Sequence, residues 1–230
     1  NFPLDSHAVS NEFKTAASNL LINHAQTFQA KEYYSGASLS ISIPEKGTYN
    51  YYYGKTSHDA TSQSVNKNTL FEIASLTKSF TAAIMLQLEN ENLLSLNNPM
   101  GKYLPHYSNW NDITLTSLLN MTACLPNYSS LPKFTSTMFS ELNRIWKEDE
   151  LINMAYPKGK TVPPLRTGFY YSNTDYLLAG KIIQLQTKKN LAHIYKNHLF
   201  LPAGLINTFY PENRIDSSIS SRLAHGYSYD

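Results

Sequence analysis

Phe71-Glu72-Ile73-Ala74-Ser75-Leu76-Thr77-Lys78-Ser79-Phe80-Thr81-Ala82 joins a short apolar run, Leu70 to Ala74, to a long helical pattern. From Ser79 to about Asn92, residues Phe80, Ala82, Ala83, Ile84, Met85, Leu86 and Leu88 surround much of a helix, which predicts a buried central helix. Ser75 and Lys78 stand three residues apart at its start, the spacing that puts two side chains on one face. A serine so placed has the makings of a nucleophile. Desolvation disfavours the charged form of a lysine, and a neutral lysine accepts the serine proton. The positive end of the helix dipole favours negative charge developing on the serine oxygen.

The triplet alone is weak. With 25 Ser and 15 Lys in the chain, chance predicts roughly 1.6 S-x-x-K matches by template counting. Three occur: Ser64/Lys67, Ser75/Lys78 and Ser130/Lys133. Ser64 and Lys67 lie in a polar loop beside Asn66 and Asn68, and Pro132 blocks a helical turn between Ser130 and Lys133. Both pairs are expected on the surface. For Ser75/Lys78 the competing reading is a capping serine and a surface lysine. Y-x-N, a second acid/base pattern, also occurs three times: Tyr107/Asn109, Tyr171/Asn173 and Tyr195/Asn197. Of these, Tyr171/Asn173 ends an extended segment just before a helix, a junction of the kind where functional groups concentrate. There Tyr171 as a packing residue and Asn173 as a cap is the alternative.

Working outward toward the N-terminus, Ala37, Leu39, Ile41 and Ile43 alternate with Ser38, Ser40 and Ser42, which is strand period. Pro44-Glu45-Lys46-Gly47 supplies turn chemistry, and aromatic Thr48 to Tyr53 returns, giving an antiparallel hairpin. Before it, residues 12–30 read as an amphipathic helix on Phe13, Ala16, Ala17, Leu20, Leu21, His24 and Phe28, with His24 a core histidine. Toward the C-terminus, Leu115, Leu118 and Leu119 suggest a short helix, and 138–155 and 191–200 look helical. Residues 156–167 form a Pro/Gly/Lys-rich loop, and 174–187 is a helix capped by Asn173 or Thr174. Few strands at one end and many helices elsewhere predict an α+β fold. The expected organisation is one domain over 1–230. Its parts are a sheet lobe with an N-terminal helix over 1–60, a helical lobe carrying the site over 61–204, and a return segment over 205–230.

Composition removes several classes. The chain has 230 residues with 42% hydrophobic and 16% charged, less charged than the ~25% of ordinary globular proteins but too apolar for disorder. Nineteen Lys and Arg against 17 Asp and Glu leave a net charge of +2, which gives no footprint for nucleic acid. The longest apolar stretch, Ala82 to Leu86, is far short of the ~20 residues that span a membrane. A single cysteine, Cys124, excludes an internal disulfide framework and a multi-cysteine metal site. No H-E-x-x-H occurs among the seven His, so a zincin is not expected. The first residue is Asn1 rather than Met, which reads as a processed or trimmed chain; the excess of uncharged polar residues suits a secreted protein, and the expected location is periplasmic or secreted.

Residues 71–82 strongly resemble the nucleophile segment of the serine β-lactamase and D,D-peptidase superfamily, in its class C-like branch. Further stretches match in the same order. Ala37 to Gly54 is similar to the family's first hairpin. Leu93-Leu94-Ser95-Leu96-Asn97-Asn98-Pro99 with Lys102-Tyr103-Leu104-Pro105 is similar to its "L-S-L-D-D-P…K-Y-L-P" segment. Tyr170 to Tyr176 resembles its "Y-S-N" motif, and Leu223 to Tyr227 its "A-x-G-Y" landmark. The resemblance implies Ser75 as the acyl-accepting nucleophile and Lys78 as its base or proton shuttle. It implies Tyr171 as a second acid/base, Asn173 as a contact for the substrate amide, and the Ser75 N–H as half of an oxyanion hole. Two departures stand out. In Leu119 to Pro126, Met121 replaces a His and Ala123-Cys124 replaces Ser-Gly. After Asn173 nothing matches the family's third motif, Lys or His followed by Thr or Ser and Gly. The expectation is therefore a short sheet lacking the C-terminal strands, completed by a further fragment or a second chain. The implied activity is hydrolysis of a small-molecule or peptide substrate (D-Ala-D-Ala peptide, β-lactam or ester) through a Ser75 acyl-enzyme. No metal or organic cofactor is implied. The rival is a non-catalytic binding module on the same scaffold.

Overall fold

In the computed structural model, which describes residues 9–157, 167–212 and 215–227, the chain starts with a capped helix. The Ser10 hydroxyl accepts from the Phe13 N–H and opens α1 (Asn11–Glu32); Tyr33, left-handed at φ 60°, closes it. Ala17 and Ala25 are buried and Leu21 and Phe28 half-buried, one stripe at helical spacing. His24 is exposed, not a core residue. It lies at the edge of that stripe, one turn from Phe28, and packs its ring on Phe28 at 4.7 Å. Leu20, further round the helix, is exposed.

β1 (Gly36–Ile43) and β2 (Gly47–Gly54) pair antiparallel, Gly36 opposite Gly54 and Ile43 opposite Gly47. The turn places Glu45 at φ 63° and Gly47 at φ 95°. Leu39 faces Tyr51 and Ile41 faces Tyr49 on the half-buried side, with Ser38, Ser40 and Ser42 outward, the expected alternation. α1 lies against β2: the Tyr53 hydroxyl donates to Gln29 Oε1 at 3.1 Å, and Phe13 meets Tyr49 edge-on. A Cβ at Gly36 would fall 2.4 Å from the Lys55 carbonyl oxygen and from Val65. The sheet has two strands among the described residues. Residues 215–227, including α8 (Ser217–Ser220), belong to this same unit, Leu70 bridging Leu223 in parallel.

The second compact unit is residues 74–214. A 3-10 turn, Ala74–Leu76, leads into α2 (Thr77–Asn90). Then come α3 (Leu115–Leu119), α4 (Pro132–Ser140), α5 (Glu148–Ala155), α6 (Asn173–Thr187), α7 (Leu191–Ile194) and a π-helical turn, Tyr195–Phe200. Its core joins Ile84, Met85 and Leu88 of α2 to Leu115 and Leu118 of α3 and to Leu178, Ile182 and Ile183 of α6.

Three sequence expectations need correction here. α2 is not apolar-buried all round: Leu86 is 55% exposed, opposite the buried face. The helix expected over 138–155 is two helices. Pro132 starts α4 early, as its fixed φ suits the first helical position. Arg144 then ties Glu141 to Glu150 across the break (2.6 and 2.5 Å), and three acids open α5 at its positive end. Helix 191–200 changes to π geometry halfway. The loop expected over 156–167 lies outside the described residues from 158 to 166.

Candidate active site

Ser75 and Lys78 do not share one α-helix. Ser75 sits in the 3-10 turn and Lys78 is the second residue of α2. In 3-10 geometry side chains at i and i+3 eclipse, so the turn aligns them. Lys78 Nζ donates to Ser75 Oγ at 2.9 Å. Ala74, just before the serine, has φ 43°, a left-handed conformation that an alanine adopts only under local constraint. Ser64 and Lys67, like Ser130 and Lys133, are exposed.

Tyr171 comes from 96 residues away, and its hydroxyl shares a 2.6 Å hydrogen bond with Ser75 Oγ. The extended approach to it is pinned from below. Tyr170 N–H donates to the Met121 carbonyl at 2.9 Å, and the Cys124 thiol donates to the Gly168 carbonyl at 3.1 Å. The Lys78 ammonium, then the Ser75 hydroxyl, hold the Tyr171 phenol below its usual range. Lys78 Nζ also lies 5.0 Å from the centre of the Tyr171 ring. Tyr107 is buried and donates to Asp149, and Tyr195 is buried against Thr81, so the hydroxyls of the other Y-x-N matches bond elsewhere than at Ser75.

Asn173 opens α6, but Ser172 is the N-cap residue and makes no side-chain cap. The Asn173 side chain is committed to the cluster instead: Oδ1 accepts from Lys78 Nζ at 2.7 Å and Nδ2 donates to Ser129 Oγ at 2.9 Å. The Asn173 N–H donates to Asn127 Oδ1 at 3.1 Å. The Thr174 hydroxyl donates to the Pro126 carbonyl and accepts from the Tyr128 N–H. Residues 126–130 thus take over the capping of α6. Asn127, Tyr128 and Ser129 were missed in the sequence; an Asn two residues before a Ser is an Asx-turn signal, and Asn127 Oδ1 does accept from the Ser129 N–H.

A cavity of about 270 Å³ opens beside this cluster, lined by Ser75, Lys78, Tyr128 and Asn173 among others. Among the described residues, no three His, Cys, Asp or Glu are grouped to hold a metal ion, and no helix is long and apolar enough to cross a membrane.

Comparison with known proteins gives this geometry a context. The chain is 32% identical to penicillin-binding protein 4* of Bacillus subtilis (strain 168) over 165 residues, which is 71% of this chain and 35% of that protein. It therefore spans about a third of the length of that relative. Among solved structures it superposes on D-amino acid amidase from Ochrobactrum anthropi SV3 with a TM-score of 0.75 at 26% identity, covering 94% of this chain and 58% of that one. A class C beta lactamase gives 0.74 at 19% identity, covering 95% and 57%, a likeness of fold. The beta-lactamase family model matches residues 21–229, nearly the whole chain, and the chain is a member of that family.

Proposed function

We propose that this chain carries the acylation machinery of a serine hydrolase, with Ser75 as nucleophile. The observation that supports this reading best is the closed contact of Ser75 Oγ with both Tyr171 OH and Lys78 Nζ, at 2.6 and 2.9 Å. Tyr171, held below its usual range by Lys78, acts as the phenolate and takes the Ser75 proton as Oγ attacks a carbonyl carbon. The same proton then passes to the leaving nitrogen or oxygen, and the acyl group stays on Ser75 until water displaces it. Lys78 keeps both partners in place and is itself fixed by Asn173. The Ser75 N–H, at the head of its turn and ahead of the first intrahelical bond, is available to the oxyanion. The substrate class is a D-Ala-D-Ala-type peptide, a β-lactam, or a small ester or amide. The names of the penicillin-binding and amidase relatives lend support to that range.

Incubation of the intact protein with a fluorescent penicillin and with an activated ester, read by gel and intact mass, tests the reading. A single acyl adduct is expected on Ser75, absent in Ser75→Ala. Tyr171→Phe is expected to slow its formation by about 10²–10⁴-fold, the worth of a placed proton-transfer group. Adducts that persist in Ser75→Ala, or none with either reagent, overturn it.

A further inference from the structure

The cavity beside Ser75 runs between two helices. Lys78 and Thr81 of α2 form one wall; Asn173, Leu177 and Gly180 of α6 form the other. Asn173 to Gly180 spans about 10 Å at 1.5 Å per residue. Leu191, Tyr195 and Tyr210 complete the lining with apolar surface. A Cβ at Gly180 would stand 3.3 Å from Leu191, so the glycine keeps the passage wide. The acidic member of the lining is Glu148, half-buried at the start of α5.

Glu148 differs from its neighbours. Asp149 pairs with Lys181 at 2.6 Å and Glu150 with Arg144 at 2.5 Å. Among the described residues no cation pairs with Glu148. Its carboxylate is instead fixed by Gln184 Nε2, which donates to both oxygens at 3.2 and 3.0 Å. A neutral amide orients the carboxylate but leaves its charge, offset only in part by the positive end of α5. Lys78, the other charged member of the lining, is already bonded to Ser75 and Asn173, so Glu148 stays a carboxylate with no cation paired to it, and a charge in such a place gains most from a direct partner.

Resting on the hydrolase reading above, we propose that this cavity seats the side chain of the acyl donor, apolar along its stem and ending in an amine that pairs with Glu148. The substrate class is then an acyl compound bearing a long amino-terminated chain, in preference to a neutral or acidic one.

Three p-nitrophenyl esters of equal acyl length test this: 6-aminohexanoate, hexanoate and the adipate half-ester. The amino ester is expected to lead hexanoate about tenfold in kcat/KM, the scale of a partly buried charge pair. Glu148→Gln should abolish the preference, and Glu148→Lys should transfer it to the adipate ester. Circular dichroism confirms that each variant is folded. Binding of hexylamine against hexanol, followed by NMR, reads the same discrimination without turnover. Equal kcat/KM for the three esters, or a preference unchanged in both Glu148 variants, overturns the proposal. Amine-selective binding that depends on Glu148 while no ester acylates Ser75 overturns the hydrolase reading and leaves the amine subsite standing.

Discussion

Asp175 lies two residues from Asn173 and is completely buried in the first turn of α6. Burial pushes its carboxyl from 3.8 up to about 8, against a smaller lowering by the Ser172 hydroxyl. The folded state therefore holds a proton that the unfolded state releases. Stability attached to this group is complete below about pH 4 and is lost as pH rises through about 8. Asp175→Asn keeps the shape and removes the charge. Its advantage in Tm over the parent should grow from pH 5 to pH 9, and thermal melts showing a constant gap would contradict this. Cys124 is a second residue under tension. It is buried with φ 54°, at the position where the resemblance implied a Gly. A left-handed L-residue costs roughly 1–2 kcal/mol. Both Cys124→Gly and Cys124→Ala lose the thiol bond to Gly168, but only Gly sheds that strain. Urea titration should find the Gly variant at least as stable as the Ala variant, the reverse of the order in ordinary backbone.

At the scale of elements, α6 begins without a cap of its own and borrows one from residues 126–130. The start of this helix and the position of Asn173 are thus one problem with one solution. Asn127→Ala removes the acceptor of the Asn173 N–H and leaves that part-buried donor without its partner. A cost of about 1–3 kcal/mol is expected, together with slower Ser75 acylation. Ser129→Ala removes a single bond to Asn173 Nδ2 and its bond to Asn127, and should cost less. Chemical denaturation gives the first quantity, and the time course of adduct mass gives the second. Equal costs for the two variants would mean that Asn127 does not hold the helix start. The π turn at Tyr195–Phe200 belongs to the same scale: Tyr195 stacks on Tyr210 at 4.4 Å and bonds Thr81 of α2. Such turns recur at functional sites, and here the turn furnishes a wall of the cavity.

At the scale of the molecule the two units are unequally provided. The large core cluster lies wholly within residues 74–214. The first unit buries Ala17, Ala25 and Val65 but has no cluster of comparable size among its described residues. A two-stranded hairpin is marginal by itself. Amide exchange should follow this inequality, since local opening tracks buried apolar contacts. Amides of β1 and β2 are expected to exchange at least about tenfold faster than those in the middle of α2 and α6. Hairpin protection equal to that of α6 would contradict this.

Ser38, Ser40 and Ser42 alternating with apolar neighbours gave away the hairpin, and the i, i+3 placement of Ser75 and Lys78 gave away half of the cluster. Both signals sit within a few residues, where side-chain direction follows from backbone period alone. The direction of His24, the exposure of Leu86, the break after α4 and the π turn were not legible. Each depends on which face of a helix meets a neighbour. The bonds from Tyr171 to Ser75, from Asn173 to Lys78 and from Asn173 to Asn127 join residues 96, 95 and 46 positions apart. Motif order implied the first; it offered Asn173 as a contact for substrate, and nothing implied its bonds to Lys78 and Asn127, or the place of Glu148 in the cavity wall. The sequence by itself determined the elements and the kinds of side chain available for chemistry. Only the tertiary structure decided which of them meet, because long-range contacts form where whole helices pack, and a single helix pattern does not specify its partner.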